Sequence, residues 1–422
     1  MGQMAERPRP ALGLSIGATN LAVVTPDHAI TRKPVLTLYR QRPPEVGIPS
    51  ENPRLDEPGL VLTDFVDRVG EPAGIVAADG STHRSEALVA DGLRALAYTA
   101  TGGRPMPDHI TVSYPAHWGS AAVDALGRAL SRVSEWSNRT NPLVLIPDAA
   151  AVLFAVRTQP GIAASGTIAV CDFGGSGTSL TLIDAASEYR PVAPTVRHHG
   201  FSGDMIDQLL LTYVMSELPS TGGLDPDSIS AIGSLARLRG QCRIAKERLS
   251  ATTFTSLADG LPHGEIRLSR DDFEETIREP LDGFVRVLEQ TLSRSGIPGL
   301  AGIIAVGGGA NIPAVTTTLS GHFGVPIIST PRPQLVAAIG GALRGAHGPA
   351  DDGRAVPLPP APAAPTETET ETAPLAQEPA DEPSEADSNA APEPRSRTMR
   401  WYRRRPQTGS GQIGPNPGGA AS

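Results

Sequence analysis

Residues 168–183 read Ile168-Ala169-Val170-Cys171-Asp172-Phe173-Gly174-Gly175-Ser176-Gly177-Thr178-Ser179-Leu180-Thr181-Leu182-Ile183. The stretch has three parts. Ile168–Cys171 is a short apolar run with β-branched Ile168 and Val170. Asp172–Ser179 is rich in glycine and holds one acid. Leu180–Ile183 returns to strand-forming residues. That order spells strand, tight glycine turn, strand. Glycine leaves the backbone N–H groups of such a turn unobstructed, able to converge on an anion such as phosphate. Asp172, at the end of the first strand, suits the water shell of a metal ion. The same residues also suit a plain hairpin, so the stretch alone leaves both readings open.

An echo of it lies far upstream. Ala11–Thr25 is again an apolar run, Gly17-Ala18-Thr19, and an apolar run. Two hairpins of one design, so widely separated, point to two similar half-domains facing one ligand rather than to a solenoid. A third cluster, Gly307-Gly308-Gly309, follows the apolar run Ile303–Val306. It leads through Asn311 to Pro313, which suits a helix's first turn. Apolar spacing predicts helices over Ser85–Thr99, Ser120–Trp136, Asp148–Arg157, Ser202–Glu217, Ser234–Ser250, Asp271–Ser295, Ala314–Phe323 and Leu335–Arg344. Val61–Val69 suits a short helix or a strand. Strands alternating with helices through the second half argue for α/β layers.

Between the glycine loops lie Val112–Trp118, Ile146–Ala151, Gly200–Asp207 and Cys242–Ser250. With the loops, and in the same order, these segments resemble the actin-like ATPase superfamily. Within it they resemble the nucleotide-binding domain of the heat-shock 70 (DnaK-like) chaperones, over roughly residues 11–346. The resemblance implies an α/β fold of the actin-like ATPase type, with two similar half-domains around a nucleotide cleft. It implies ATP or ADP with Mg2+ in that cleft. Gly17, Thr19 and Asn20 are implied on one side of the phosphates, and Asp172, Gly174, Gly175, Ser176 and Gly177 on the other. Gly203, Lys246, Gly307, Gly308, Gly309 and Asn311 are implied beside the nucleotide. Asp148 and Asp172 are the implied catalytic carboxylates, and Asp172 the implied magnesium ligand, acting through water.

The departures from the family pattern bear on activity. Ser15 and Ser179 stand where the family carries Asp, Ala18 where it carries Thr, and Asp148 where it carries Glu. Gln334 falls near the place of a further Asp. The family's lysine, expected around Thr63–Gly70, has no counterpart, because no lysine lies between Pro34 and Ala245. Phosphoryl transfer rests on positioning and on stabilising charge, so ATP hydrolysis is expected to be slow or impaired. Arg68 and Arg84 are the candidates to replace the missing cation if the fold brings either into the cleft. The family's peptide-holding β-sandwich has no resemblance after residue 346, and peptide holding is not expected of this stretch.

The chain has 422 residues and a net charge of −9, which argues against a nucleic-acid-binding body. Two cysteines, Cys171 and Cys242, make no disulfide framework. No apolar run reaches membrane-spanning length, and Ala11–Val24 is too interrupted for a signal-peptide core, so the expected location is cytoplasmic. The expected organisation is a polar leader (1–10), a first actin-like half-domain (11–164), a second (165–346), a disordered Pro/Ala/Glu/Thr-rich linker (347–394), and a basic aromatic cluster with a flexible end (395–422). In that cluster, Arg395–Arg405 surrounds Trp401 and Tyr402. It reads as a docking segment for an unknown protein partner or an anionic membrane surface. Two other classes stay open: a non-catalytic scaffold on an actin-like fold, and an actin-like filament protein.

Overall fold

The computed structural model describes residues 9–52, 55, 57–137, 139–157, 159–187, 190–217, 229–257, 265–347 and 356–357. The polar leader up to residue 8, most of the linker and the Arg395–Arg405 cluster lie outside the described residues. In chain order, the first half comprises β1 (Ala11–Ile16), β2 (Leu21–Val24), β3 (Ala29–Arg32), β4 (Leu36–Leu38), β5 (Glu45–Val46), β6 (Leu60–Leu62), β7 (Ile75–Val76), β8 (Thr82–His83), α1 (Ser85–Thr101), β9 (His109–Tyr114), α2 (Ser120–Ser131), α3 (Ser134–Ser137), β10 (Val144–Pro147) and α4 (Asp148–Val156). The second comprises β11 (Thr167–Phe173), β12 (Thr178–Asp184), β13 (Arg190–Pro191), β14 (Val196–His198), α5 (Gly203–Glu217), α6 (Ile229–Leu249), β15 (Phe254–Leu257), β16 (Ile266–Ser269), α7 (Arg270–Arg294), β17 (Gly302–Val306), α8 (Pro313–Phe323), β18 (Ile327–Ile328), α9 (Val336–His347) and β19 (Val356–Pro357).

The two halves are built on one plan. The first sheet has the order β19-β10-β9-β1-β2-β3. The second has β13-β12-β11-β17-β18, with β14 added against β12. In each, a hairpin (β1–β2, β11–β12) pairs antiparallel, and its first strand pairs in parallel with a later one, β9 or β17. Strands β1 and β11 are buried nearly throughout, as their continuous apolar runs require of strands covered on both faces. This is the actin-like ATPase fold, α/β in class, and the echo between Ala11–Thr25 and Ile168–Ile183 is its internal repeat.

The halves are joined by an exchange of helices. α4, which ends the first half, packs Ala149, Val152, Leu153 and Val156 against Ile168, Val170 and Ile304 of the second sheet. α9, which ends the second half, lies against β1 and β9 of the first sheet and against α4. A Cβ on Gly340 would overlap the Ala151 carbonyl, so only glycine lets these two helices approach this closely. The packing of these two helices thus crosses between the halves.

Two expected elements differ. The helix expected over Ser120–Trp136 breaks after Ser131 and restarts as α3. The break seats Trp136 in the core at 1 % exposure, with its indole N–H donating to Met106 Sδ at 3.4 Å. Burial of so large a ring with its donor satisfied outweighs one lost helical turn. Val61–Val69 is strand only to Leu62. A loop follows in which Asp64 takes a positive φ of 57° and Phe65 and Val66 enter the core. At the other extreme, α7 begins where its residues demand: Ser269 and Asp272 form a capping box.

Candidate functional site

The two glycine hairpins meet tip to tip. A Cβ on Gly175 would overlap Thr19 Oγ1, so the second hairpin touches the first through bare backbone. The amides of Gly203 and Asp204, at the start of α5, donate to the carbonyls of Gly174 (3.0 Å) and Gly175 (2.9 Å). Helix α5 therefore begins on the hairpin, and its N-terminal dipole faces the same space. Gly307 leaves β17 at a φ of +82°, and a Cβ there would overlap Asp172 Oδ1. Parallel pairing sets Asp172 opposite Val306, so acid and glycine leave the sheet at one edge.

Two carboxylates stand at the floor of this cleft. Asp148 opens α4, and its Oδ1 accepts from the amides of Ala116 (3.0 Å) and Ala149 (2.6 Å). Burial first, and then the charge of Asp172, push the Asp148 carboxyl up to about 7. Asp172 is likewise raised by burial, with Arg197 opposing. Two recessed, mutually repelling acids are arranged to welcome a cation. Among the described residues no group of three or more His, Cys, Asp or Glu gathers into a cage. The donor set fits Mg2+, which keeps much of its water and binds through one or two carboxylates plus substrate phosphates.

A cation enters from an unexpected element. Arg197 on β14 is the register partner of Ser179 on β12. Its Nη1 donates to the Gly177 carbonyl and to Ser179 Oγ, both at 3.0 Å, and its Nη2 to Ser176 Oγ at 2.7 Å. It lies within the field of Asp172, Asp67 and Asp148, which together oppose the effect of its burial. Ser179 Oγ in turn meets His117 Nδ1 at 3.3 Å. Arg68 and Arg84 pair instead with Glu71 and Glu86, and neither lines the cleft. The segment where a lysine was expected contributes the acid Asp67 to the lining, and the positive charge arrives from the opposite half.

At the other flank, Lys246 of α6 donates to the Gly203 carbonyl at 2.9 Å and pairs with Asp207 Oδ1 at 2.6 Å. Lys33, Arg243, Glu247 and Ser250 line the cleft nearby. Burial, and then the facing charge of Arg243, lower the Lys33 ammonium.

Of the residues read from the sequence, Gly17, Thr19, Asn20, Asp148, Asp172, Gly174, Gly175, Ser176, Gly203, Lys246, Gly307, Gly308 and Gly309 line this one cleft. Gly177 and Asn311 do not. Gly177 is covered by the Arg197 guanidinium, and Asn311 Nδ2 folds back onto the Gly308 carbonyl at 3.1 Å. Arg197, His117, Lys33, Arg243 and Asp67 escaped the sequence reading. For Arg197 the available signal was the alternation Val196-Arg197-His198 on a strand pairing with the hairpin.

A cleft between two matched α/β halves, walled by glycine hairpins and floored by paired acids, defines a nucleotide-binding domain of the actin-like ATPase class. The chain belongs to the Hsp70 family: the Hsp70 protein profile matches residues 142–353. It is similar to a chaperone protein HscA homologue of Laribacter hongkongensis, 27% identical over 378 residues, covering 80% of this chain and 58% of that protein. A second HscA homologue, from Cupriavidus metallidurans, is 28% identical over 216 residues, covering 49% of this chain and 33% of that protein. A heat shock protein 70 homologue of Schizosaccharomyces pombe is 25% identical over 189 residues, covering 43% of this chain and 33% of its own length. The chain thus spans between a third and three-fifths of the curated relatives it matches. Among the described residues, no helix is long and apolar enough to cross a membrane.

Proposed function

We propose that the cleft binds ATP or ADP with Mg2+ and hydrolyses ATP slowly. The observation that carries this reading is the Gly175–Thr19 contact, which sets two glycine hairpins face to face around a pair of recessed acids. The adenosine end falls to Gly307–Gly309 and the α6 residues, the phosphates to the hairpins, and the hydrated metal to Asp172 with Asp148 beside it. Magnesium supplies charge neutralisation on the phosphates. The chain's own groups do the rest. The hairpin amides orient the phosphates, Asp148 faces the site where water attacks, and Arg197 answers the charge on the transferred group.

Hydrolysis is slow because Ser15 and Ser179 offer hydroxyls where carboxylates would steady the metal's water shell. The Arg197 guanidinium, moreover, is already held by three hydrogen bonds. Loss of one charge-stabilising group costs about 2.7–4 kcal/mol, or a hundred- to a thousandfold in rate, and Arg197 recovers part of that. The biological role we assign is a nucleotide-dependent switch that serves a protein partner, with residues 347–422 recruiting it. Single-turnover hydrolysis is the test. A slow rate that falls further in Asp172→Asn supports the reading. A rate unchanged by that substitution removes Asp172 from the chemistry.

The serine substitutions favour one second reading, a nucleotide-binding scaffold without turnover. Nucleotide affinity with no product after a long incubation would establish it.

A further inference from the structure

We propose that Arg197, Ser179 and His117 form a hydrogen-bonded relay that reads the terminal phosphate, so that the cleft prefers a nucleoside triphosphate to a diphosphate. The inference rests on the nucleotide reading above and adds to it a specificity device that neither glycine hairpin supplies.

One placement of the protons completes the relay. A guanidinium only donates, so Ser179 Oγ accepts from Arg197 Nη1 at 3.0 Å. The single hydroxyl hydrogen of Ser179 is then free to be given to His117 Nδ1 at 3.3 Å, and the relay as proposed places it there. An imidazole that accepts at Nδ1 carries its proton at Nε2. In that tautomer His117 offers an Nε2–H at the wall of the cleft, where it meets no acceptor among the described residues. Arg197 spends both Nη1 hydrogens and one Nη2 hydrogen on the hairpin, which leaves, among the described residues, one Nη2 hydrogen and the buried Nε–H uncommitted. Two oriented donors, one charged and one neutral, thus stand side by side and are locked by a single serine. The imidazole stays neutral because burial, Arg197 and His199 hold it down at about 4, so at neutral pH it acts as a fixed dipole.

Position selects the terminal phosphate. The β11–β12 hairpin has two flanks. Gly203, with Lys246 behind it, packs on Gly175, whereas Arg197 bonds to Ser176, Gly177 and Ser179. With the nucleoside on the α6 flank, the phosphate chain runs past Gly175 and ends on the Arg197 flank. A diphosphate stops short of the relay and a triphosphate reaches it. Planar, pre-oriented donors of this kind suit phosphate oxygens.

The test is calorimetric affinity for ATP and for ADP, each with magnesium, on the full chain. His117→Phe keeps a ring of similar size and removes the donor. It is expected to weaken ATP about two- to thirteenfold, the worth of a neutral hydrogen bond, and to leave ADP within twofold. His117→Gln, whose amide both accepts and donates, should restore most of the preference. Arg197→Met should weaken ATP further, though it also loosens the hairpin, so the His117 pair carries the decision. A nitrogen-15 spectrum of His117 supplies a second readout, with the Nε2–H tautomer expected. Equal effects on ATP and ADP, no effect on either, or an Nδ1–H tautomer would each overturn the relay while leaving the nucleotide site standing. Failure of the unsubstituted chain to bind either nucleotide would overturn the nucleotide reading, and the relay with it.

Discussion

Lys246 Nζ lies 2.6 Å from Asp207 Oδ1, and the two side chains are only 13% and 4% exposed. The same ammonium caps the Gly203 carbonyl at 2.9 Å. A lysine implied beside the nucleotide therefore also clamps α6 to the first turn of α5, which is itself bonded to the β11–β12 hairpin.

Breaking one half of this pair leaves a buried charge. Lys246→Met is expected to cost about 3–5 kcal/mol of stability, because Asp207 is then stranded. The double substitution Lys246→Met with Asp207→Leu should recover most of that loss. Urea unfolding of the single and double variants checks the pair. Equal destabilisation of both would show that the ammonium's bond to Gly203 is what matters.

Gly307→Ala tests the floor of the cleft. At a φ of +82° any side chain is strained, and its Cβ would displace the Asp172 carboxylate. Strain of this kind costs about 1–3 kcal/mol. Beyond the fall in melting temperature, magnesium should lose its effect on nucleotide affinity. A variant that melts early yet keeps the full magnesium effect would show that Asp172 does not steady the metal.

His117 gives the fold a dependence on pH of known sign. Its native pKa is lowered from 6.5 to about 4, chiefly by burial. As pH falls below 6.5 the unfolded chain takes up a proton that the folded chain refuses until about 4, so the contribution present above 6.5 is lost across that window. Asp148, raised to about 7, carries the opposite slope. The diagnostic is therefore a difference: between pH 7 and pH 5, His117→Gln should lose less thermal stability than the unsubstituted chain. Parallel losses would contradict the burial of a neutral imidazole.

The fold was legible because its determinants are local and repeated. The two hairpins and the third glycine cluster all act within a few residues of themselves. So does the placement of Asp148 at a strand–helix junction. Arg197 was not legible, because its place depends on β14 pairing with β12 across the 11 residues that separate the strands. The alternation Val196-Arg197-His198 marks a strand but not the partner it pairs with. The helix break before Trp136 was hidden for a related reason. Continuous helical spacing favours one helix, and only the tertiary core reveals where the indole is needed. Asn311 sat in a correctly read loop but turned inward on Gly308, a rotamer choice that spacing does not encode.

The segment Arg395–Arg405 is expected to dock on anionic surfaces. Each arginine near such a surface contributes about 1 kcal/mol, and Trp401 and Tyr402 add apolar area. Deleting residues 395–422 should reduce co-sedimentation with phosphatidylserine vesicles and leave nucleotide binding intact. Unchanged sedimentation, or none by the full chain, would turn the search to protein partners.

The central claim is that the two glycine hairpins form one magnesium-nucleotide site. Calorimetric titration of the full chain with ADP and magnesium, beside Gly175→Asp, tests it most directly. At Gly175 any side chain meets Thr19, and a carboxylate would also oppose the phosphates. The account predicts a single saturating site in the unsubstituted chain and no heat from a variant that still melts cooperatively. Equal heats from both proteins, or none from the unsubstituted chain, would contradict it.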